Sequence, residues 1–315
     1  MYESLMHYCP KAYLYIFAFN EKCLNILQKL NLPSATIISL DEFEDEQLRR
    51  VKKERTRIEY FWTCTPSIIK FVLEKYNVES CTYIDADVFF FQSPEILLEE
   101  LGDESVLITE HRFSPEYDQS DISGKYCVQF ITFKHDFRGM KTLNWWRNAC
   151  LEWCHAYPEN GKLGDQKYLD DWTTRFEGIH ELKNLGGGVA PWNVQQYQIF
   201  VRNGNIWGKE RTTGCEFPVI FYHFHYLRFF EDGSLSMGDY KIDSAVRELI
   251  YFPYIRELQK SYEKIHALDN GFDPHGSQAL PKFNLLRPIK TIKDYLRQRA
   301  NHIQRQELLK IKESF

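Results

Sequence analysis

Two acidic residues directly after an apolar segment are the strongest chemical signal in the sequence. Asp85 and Asp87 follow the β-prone run from Cys81 to Ile84, and a Ser-Pro-Glu helix start follows at Ser93. Residues i and i+2 of an extended chain point to the same side, so both carboxylates can share one divalent cation at the end of a strand. The pattern predicts a metal site, and the competing interpretation is a pair of surface aspartates in a turn.

A further candidate ligand lies much later in the chain, where two histidines follow another apolar run. His223 and His225 come after residues 218–222, which we predict to form a strand, and their spacing places them on one face. Imidazole is an acceptable ligand for a transition ion such as manganese. We expect His225 and Arg228 to bind substrate, with Arg228 as a clamp for a phosphate group. These residues predict a site for Mn²⁺ or Mg²⁺ that handles the diphosphate of a nucleotide.

The elements that would position these residues alternate between strands and helices. Strands are predicted at residues 12–19, 35–39, 81–84, 106–109, 126–133 and 218–222. Helices are predicted at residues 23–30, 41–76 in two pieces with Pro66 in the first turn of the second, from Ser93, 138–156 and 164–172. Alternation of this kind favours an α/β domain with a largely parallel central sheet, whose ligands gather at the carboxyl ends of the strands.

Bulk properties exclude several classes of protein. A formal net charge of −5 gives no reason to expect a nucleic-acid-binding protein, and 43% hydrophobic residues argue against disorder. The eight cysteines are scattered without a Cys-x-x-Cys pair, which indicates reduced thiols and a cytoplasmic protein. No apolar run approaches the roughly 20 residues of a membrane-spanning helix, so an integral membrane protein is not expected.

Length and composition predict a catalytic domain over residues 1–240 and a helical, basic extension over residues 241–315. Residues 281–315 contain nine Lys or Arg against three Asp or Glu. Apolar residues that include Ile292, Leu296, Ile303, Leu308 and Ile311 are spaced irregularly along this tail. A helix that packs on the domain and a helix that contacts the inner membrane peripherally both remain open.

Several motifs in order resemble one family of enzymes. Thr82 to Asp87, then Ser93-Pro94, Gly164-Asp165-Gln166 and His223 near an arginine resemble the retaining glycosyltransferases of family eight, which include glycogenin and lipopolysaccharide galactosyltransferases. The resemblance covers roughly residues 1 to 230. It implies a GT-A fold and transfer of a hexose from a UDP-sugar to a hydroxyl of a glycan or glycolipid, as in bacterial surface-glycan or lipopolysaccharide biosynthesis.

The resemblance also implies roles for individual residues. Asp85, Asp87 and His223 would hold manganese, Asp165 would contact the donor or acceptor sugar, and Gln166 would lie beneath the anomeric carbon. Because an amide is a poor nucleophile, we expect Gln166 to stabilise an ion-pair intermediate through its dipole.

The sequence departs from the family pattern in two places. Cys127 and Gln129 stand where the family usually carries Asn and Gly, so we expect Gln129 to offer its amide to a sugar hydroxyl. The first ten residues resemble the end of the first helix of the family, so we expect an N-terminally short chain that lacks the first strand and binds nucleotide weakly.

A glycine run and the residues after it suggest a sugar contact. No nucleotide-binding motif fits Gly186 to Gly188, which we interpret as a mobile turn. Trp192 and Asn193 follow, and an aromatic face beside an amide suits a sugar ring. We expect both to bind substrate.

Two alternative functions remain open. A nucleotidyltransferase also uses carboxylates at strand ends and a metal, but it requires a Gly-rich phosphate loop with a basic residue near its first strand, and none is present. A catalytically inactive relic that binds a glycan or nucleotide is the second alternative.

Overall fold

Helices and strands alternate along the described residues, 1–280 and 301–313, of a computed structural model of the protein. The helices are α1 (Tyr2–Tyr8), α2 (Glu21–Leu30), α3 (Leu40–Phe43), α4 (Glu46–Lys52), α5 (Arg57–Tyr76), α6 (Glu95–Glu99), α7 (Ser120–Ser123), α8 (Phe137–Glu152), α9 (Trp172–Arg175), α10 (Ser244–Val246), α11 (Phe252–Leu268) and α12 (Arg305–Glu313). The strands are β1 (Leu14–Ala18), β2 (Ala35–Ser39), β3 (Ser80–Ile84), β4 (Val88–Phe90), β5 (Val106–Glu110), β6 (Tyr126–Lys134), β7 (Ile179–Glu181), β8 (Tyr197–Arg202), β9 (Asn205–Glu210), β10 (Glu216–Pro218), β11 (Phe221–His223), β12 (Arg228–Phe229), β13 (Leu235–Ser236) and β14 (His302–Ile303). The predicted α/β class is therefore confirmed.

A four-stranded sheet in the order β3-β6-β5-β7 supports the acidic pair. β5 and β7 are parallel, whereas β6 is antiparallel to both of its neighbours. Three of the four strands thus run in one direction, and the sheet is mixed rather than purely parallel. β1 and β2 form a separate parallel pair, and β4 pairs with β11.

The long helix α5 begins earlier than the sequence pattern predicts. It runs unbroken from Arg57 to Tyr76 with Pro66 in its interior, so the predicted start at Pro66 is wrong. The helix begins at a capping box in which Thr56 and Glu59 satisfy each other's backbone N–H groups. The free energy gained by burying Ile69 and Leu73 offsets the loss of the one helical hydrogen bond that a proline cannot donate.

The glycine turn at residues 186–188 is buried and tightly packed. A Cβ atom on Gly186 would lie 1.9 Å from the backbone oxygen of Pro218, and one on Gly187 would lie 2.6 Å from Leu182 Cδ2. The Gly186 oxygen also accepts a hydrogen bond from the Ile220 N–H. The interpretation as a mobile turn is wrong, because the neighbouring segments lie too close for any side chain there.

This contact predicts a large loss of stability for Gly186→Ala. We expect the substitution to lower the free energy of unfolding by about 2–3 kcal/mol or more, because the new methyl group meets backbone that cannot move aside. Urea denaturation measures the loss. Gly271→Ala is the matched control, since its nearest neighbour would be Asp269 Oδ1 at 3.5 Å. Equal stability of the two variants would contradict the close packing.

The C-terminal part packs on a core shared with the rest of the chain. Tyr254 of α11 stacks on Phe224 with ring centroids 3.7 Å apart, and Leu308 of α12 is buried in the same apolar cluster. Ile303 and Ile311 are also buried there, whereas Ile292 and Leu296 lie outside the described residues. The division at residue 240 and the membrane contact stay predictions. No helix of the described part has the length and apolar character to span a bilayer.

Candidate functional site

Strand pairing brings the acidic pair and a histidine together. β3 ends at Ile84, and the turn that follows carries Asp85 and Asp87 into β4. β4 pairs antiparallel with β11, and this register places His223 opposite Val88. The backbone N–H of Phe224 also donates a hydrogen bond of 2.9 Å to the backbone oxygen of Asp87. The position of His223 beside Asp87 thus follows from pairing between segments about 135 residues apart.

The three side chains form a compact cluster of possible metal ligands. His223 Nε2 lies 3.1 Å from Asp87 Oδ1 and 3.8 Å from Asp85 Oδ2. One ligand atom from each residue lies within 4.8 Å of the others. The Tyr83 hydroxyl donates to Asp85 Oδ1 at 2.9 Å, which fixes that carboxylate. Two carboxylate oxygens and one imidazole nitrogen fit Mn²⁺.

The three ionisable groups of the cluster shift one another's pKa values. Burial raises the pKa of Asp85 above its ordinary value, despite the nearby His223 ring. Burial acts in the same direction on Asp87 and is the largest single influence there, but the charge of His223 and its hydrogen bond, together with the smaller effect of His225, outweigh it, so the pKa of Asp87 is lowered. Burial alone would lower the pKa of His223, yet Asp87 raises it well above the usual range. A divalent cation can take the place of the proton that His223 would otherwise hold between the carboxylates.

A cleft of about 580 Å³ opens beside this cluster. Part of its lining is a face of α5, and another part is largely aromatic. The α5 part consists of Ile58, Phe61, Trp62 and Thr65. The aromatic wall includes His111, Phe113, Trp192, His225, Tyr226 and Tyr240. The cleft therefore combines charged groups with apolar surfaces, which is typical of sites for small polar molecules with apolar faces.

The Gly-Asp-Gln motif lies along the same cleft. Gly164 adopts a positive φ of 55°, and a Cβ atom there would lie 3.3 Å from the Trp62 ring, so glycine lets this loop approach α5. Asp165 is buried, and burial raises its pKa to about 7. The side-chain amide of Gln166 donates a hydrogen bond of 2.8 Å to the backbone oxygen of Ser123. The structure thus brings Asp165 and Gln166 to the cleft that Asp85 and Asp87 also line.

Two of the predicted substrate contacts lie in the interior instead. Gln129 and Asn193 are each 0% exposed and do not line the cleft. Gln129 Oε1 lies 2.8 Å from His223 Nδ1, and the Asn193 amide donates to the oxygens of His111 and Gly188. These bonds disagree with the expected direct contacts to a sugar, because both amides are bound by the protein itself.

Three other predicted contacts differ in their access to the cleft. Trp192 and His225 line it, and their ring centroids lie 5.5 Å apart. Trp192 is only 3% exposed and its ring forms a T-shaped contact with His223 at a centroid distance of 5.2 Å, so it packs on the His223 ring more than it offers a free face. Burial lowers the pKa of His225 to about 4, which leaves it neutral near pH 7. Arg228 is exposed outside the lining, with its guanidinium 4.9 Å from the centre of the Tyr226 ring.

Sequence reasoning missed several residues of the cleft. Tyr83 lies two residues before Asp85, so the alternation of a strand would have placed both on one face. Ile58, Trp62 and Thr65 recur at helical spacing, but that spacing alone does not separate a cleft wall from a core face. The second helical piece is predicted to begin at Pro66, after all three residues, so the prediction does not place them on that helix.

Comparison with other proteins finds two long relatives. The uncharacterized protein YfnD of Bacillus subtilis (strain 168) is 30% identical over 273 residues, which are 85% of this chain and 86% of YfnD. The uncharacterized protein YfnF of the same organism is 32% identical over 292 residues, 88% of this chain and 92% of YfnF. No protein-family model matches the chain. Among solved structures, apo mouse xyloside xylosyltransferase 1 aligns with 71% of this chain and 89% of its own, at 12% identity and a TM-score of 0.42.

Proposed function

The chain belongs to the family that contains YfnD and YfnF of Bacillus subtilis, and for this member we propose a metal-dependent glycosyltransferase that moves a hexose from a UDP-sugar to a sugar hydroxyl. One observation carries the proposal: Asp85, Asp87 and His223 converge at a cleft that also holds the buried carboxyl of Asp165. A nucleotide sugar needs a charged end for its diphosphate and a polar group beside its sugar, and the cleft offers both.

The proposed chemistry assigns a task to each group of residues. A bound Mn²⁺ or Mg²⁺ would neutralise the diphosphate as it departs. Asp85, Asp87 and His223 would hold that ion, and Tyr83 keeps Asp85 in place through its hydroxyl. Asp165 would bind a hydroxyl of the sugar from its buried position.

Gln166 would act at the reacting carbon. Its amide nitrogen donates to the backbone oxygen of Ser123, and this hydrogen bond orients the side chain along the cleft. The dipole of its carbonyl would stabilise positive charge at the anomeric carbon, and a diphosphate oxygen would accept the proton of the incoming hydroxyl. This arrangement corresponds to transfer with retention of configuration, in keeping with the motifs that resemble family eight.

The acceptor and the place of action extend the proposal. We propose a hydroxyl of a surface glycan or glycolipid as the acceptor, because the aromatic wall around Tyr226 and Tyr240 suits the apolar faces of sugar rings. Action in the cytoplasm, with peripheral contact to the inner membrane through the basic tail, would bring the enzyme to lipid-linked acceptors.

A nucleotide-sugar panel tests the proposal. Purified protein with Mn²⁺ is expected to release UDP from at least one UDP-sugar, and the same sugar is expected to raise the melting temperature only when metal is present. Chelation by EDTA should remove both effects. Binding of glycans without UDP release under any of these conditions would overturn the catalytic proposal and favour the inactive relic.

A further inference from the structure

Gln129 connects two of the candidate ligands. It lies on β6, and its backbone oxygen accepts a hydrogen bond of 3.1 Å from the Asp85 N–H. Its side-chain Oε1 lies 2.8 Å from Nδ1 of His223. One residue therefore contacts the backbone of one ligand and the ring of another, although these ligands follow β3 and end β11 respectively.

The side-chain bond specifies where His223 carries a proton. An amide oxygen accepts but cannot donate, so the bond to Gln129 requires a hydrogen on Nδ1. With that hydrogen in place, a neutral imidazole presents its lone pair at Nε2. Nε2 is the atom that lies 3.1 Å from Asp87 Oδ1 and 3.8 Å from Asp85 Oδ2. The ring is thus held with its binding nitrogen toward the carboxylates.

The two polar atoms of the Gln129 side chain differ in their hydrogen bonding. The residue is 0% exposed, and within the described part of the chain its Nε2 has no hydrogen-bond partner. A Cβ atom on Gly188 would lie 3.0 Å from this nitrogen, so the loop closes over it. A buried amide nitrogen without a partner is destabilising. The polar contact that this side chain does make is the one to His223.

We propose that Gln129 is a positioning residue that holds His223 in the tautomer and orientation needed to bind a divalent cation, and so sets the metal affinity of the site. The inference rests on the proposed function in one respect, since it requires Asp85, Asp87 and His223 to bind a metal. It assigns Gln129 no contact with substrate. Partners of this kind on a metal-binding histidine typically change metal affinity by about 10- to 100-fold.

Two substitutions of similar size distinguish the effect of the Gln129–His223 hydrogen bond from the effect of packing. Gln129→Met fills the same space but accepts no hydrogen bond of comparable strength, whereas Gln129→Glu keeps an acceptor oxygen toward Nδ1. The dissociation constant of Mn²⁺ is measured at pH 8 for each protein by the electron paramagnetic resonance signal of free Mn²⁺. Gln129→Met is expected to bind about 10- to 100-fold more weakly than the unsubstituted protein, and Gln129→Glu within about tenfold of it.

The melting temperature without metal provides the second readout. If Gln129 positions His223, Gln129→Met keeps its melting temperature, because it removes an unpartnered buried amide, while losing Mn²⁺ affinity. Equal Mn²⁺ affinity of Gln129→Met and the unsubstituted protein would overturn the inference alone. Equal losses in both variants would overturn it as well, since the acceptor oxygen would then not matter. Failure of the unsubstituted protein to bind Mn²⁺ would instead overturn the metal site of the proposed function, and this inference with it.

Discussion

Asp87→Asn is expected to weaken Mn²⁺ binding by about 100-fold or more and to lower UDP release by about 1000-fold. The substitution removes the carboxylate that we propose as a metal ligand and leaves His223 without the charged neighbour 3.1 Å away. Asparagine has nearly the same shape, so packing around the side chain changes little. Titration with Mn²⁺ and steady-state UDP release, measured on the same preparations, determine the two effects.

A distant aspartate serves as the control for this substitution. Asp103 is exposed near the end of α6, and Asp103→Asn is expected to leave both quantities unchanged. Equal UDP release by Asp87→Asn and the unsubstituted enzyme would refute the assignment of Asp87 to the metal. Loss of activity with intact Mn²⁺ affinity would place Asp87 at the substrate instead.

Asp165→Asn is expected to make the protein more stable at pH 8 while abolishing transfer. Burial raises the pKa of Asp165 to about 7, above the value near 3.8 of an unfolded chain. Above pH 7 the native state therefore contains a buried carboxylate that the unfolded state hydrates freely. Removing this charge should raise the free energy of unfolding at pH 8 by on the order of 2–4 kcal/mol.

The gain from Asp165→Asn should depend on pH. As the pH falls from 7 toward 4, native Asp165 binds its proton first and the unsubstituted protein gains stability, so its difference from Asp165→Asn should shrink. Urea denaturation at pH 8, 6 and 4.5 measures this trend. A lower stability of Asp165→Asn at pH 8 would contradict the destabilising effect of the buried charge. Full transfer activity of Asp165→Asn would show that the Asp165 carboxyl takes no part in the reaction.

An N-cap aspartate supplies a control with the opposite sign. Asp136 caps α8 by accepting from the Gly139 N–H at 2.8 Å. Although burial acts to raise it, the pKa of Asp136 is lowered by this bond and by the Ser105 hydroxyl. Its stabilisation is present above the unfolded pKa and is lost as the pH falls through the folded pKa. Asp136→Asn should therefore be destabilising at pH 8, where Asp165→Asn is stabilising.

Local patterns in the sequence are sufficient for the strand and the acidic pair. Strand β3 and the carboxylates of Asp85 and Asp87 follow from an apolar run and from i, i+2 geometry, which depend on adjacent residues alone. The start of α5 is also encoded locally, in Thr56 and Glu59, but Pro66 further along points to a later start. A capping signal and a helix-breaking residue compete in such a segment, and tertiary burial decides between them.

Other features depend on contacts that no local pattern contains. The interior positions of Gln129 and Asn193 follow from how β6, β11 and the turn at residues 186–188 pack together. An amide looks equally suited to a sugar hydroxyl and to a buried histidine when only its neighbours in sequence are known. Reasoning from sequence therefore assigns these two amides to substrate, although both are bound by the protein itself.

The stacking of Tyr254 on Phe224 has a practical consequence for anyone who shortens this protein. Phe224 directly follows His223, so the aromatic ring next to this candidate ligand in the chain is covered by a helix that begins after residue 251. A recombinant fragment ending at residue 240 would lack Tyr251 and Tyr254, which pack on Tyr222 and Phe224, and the apolar surface uncovered in this way favours aggregation during expression. Assays of such a fragment would then report on a damaged site rather than on that of the intact protein.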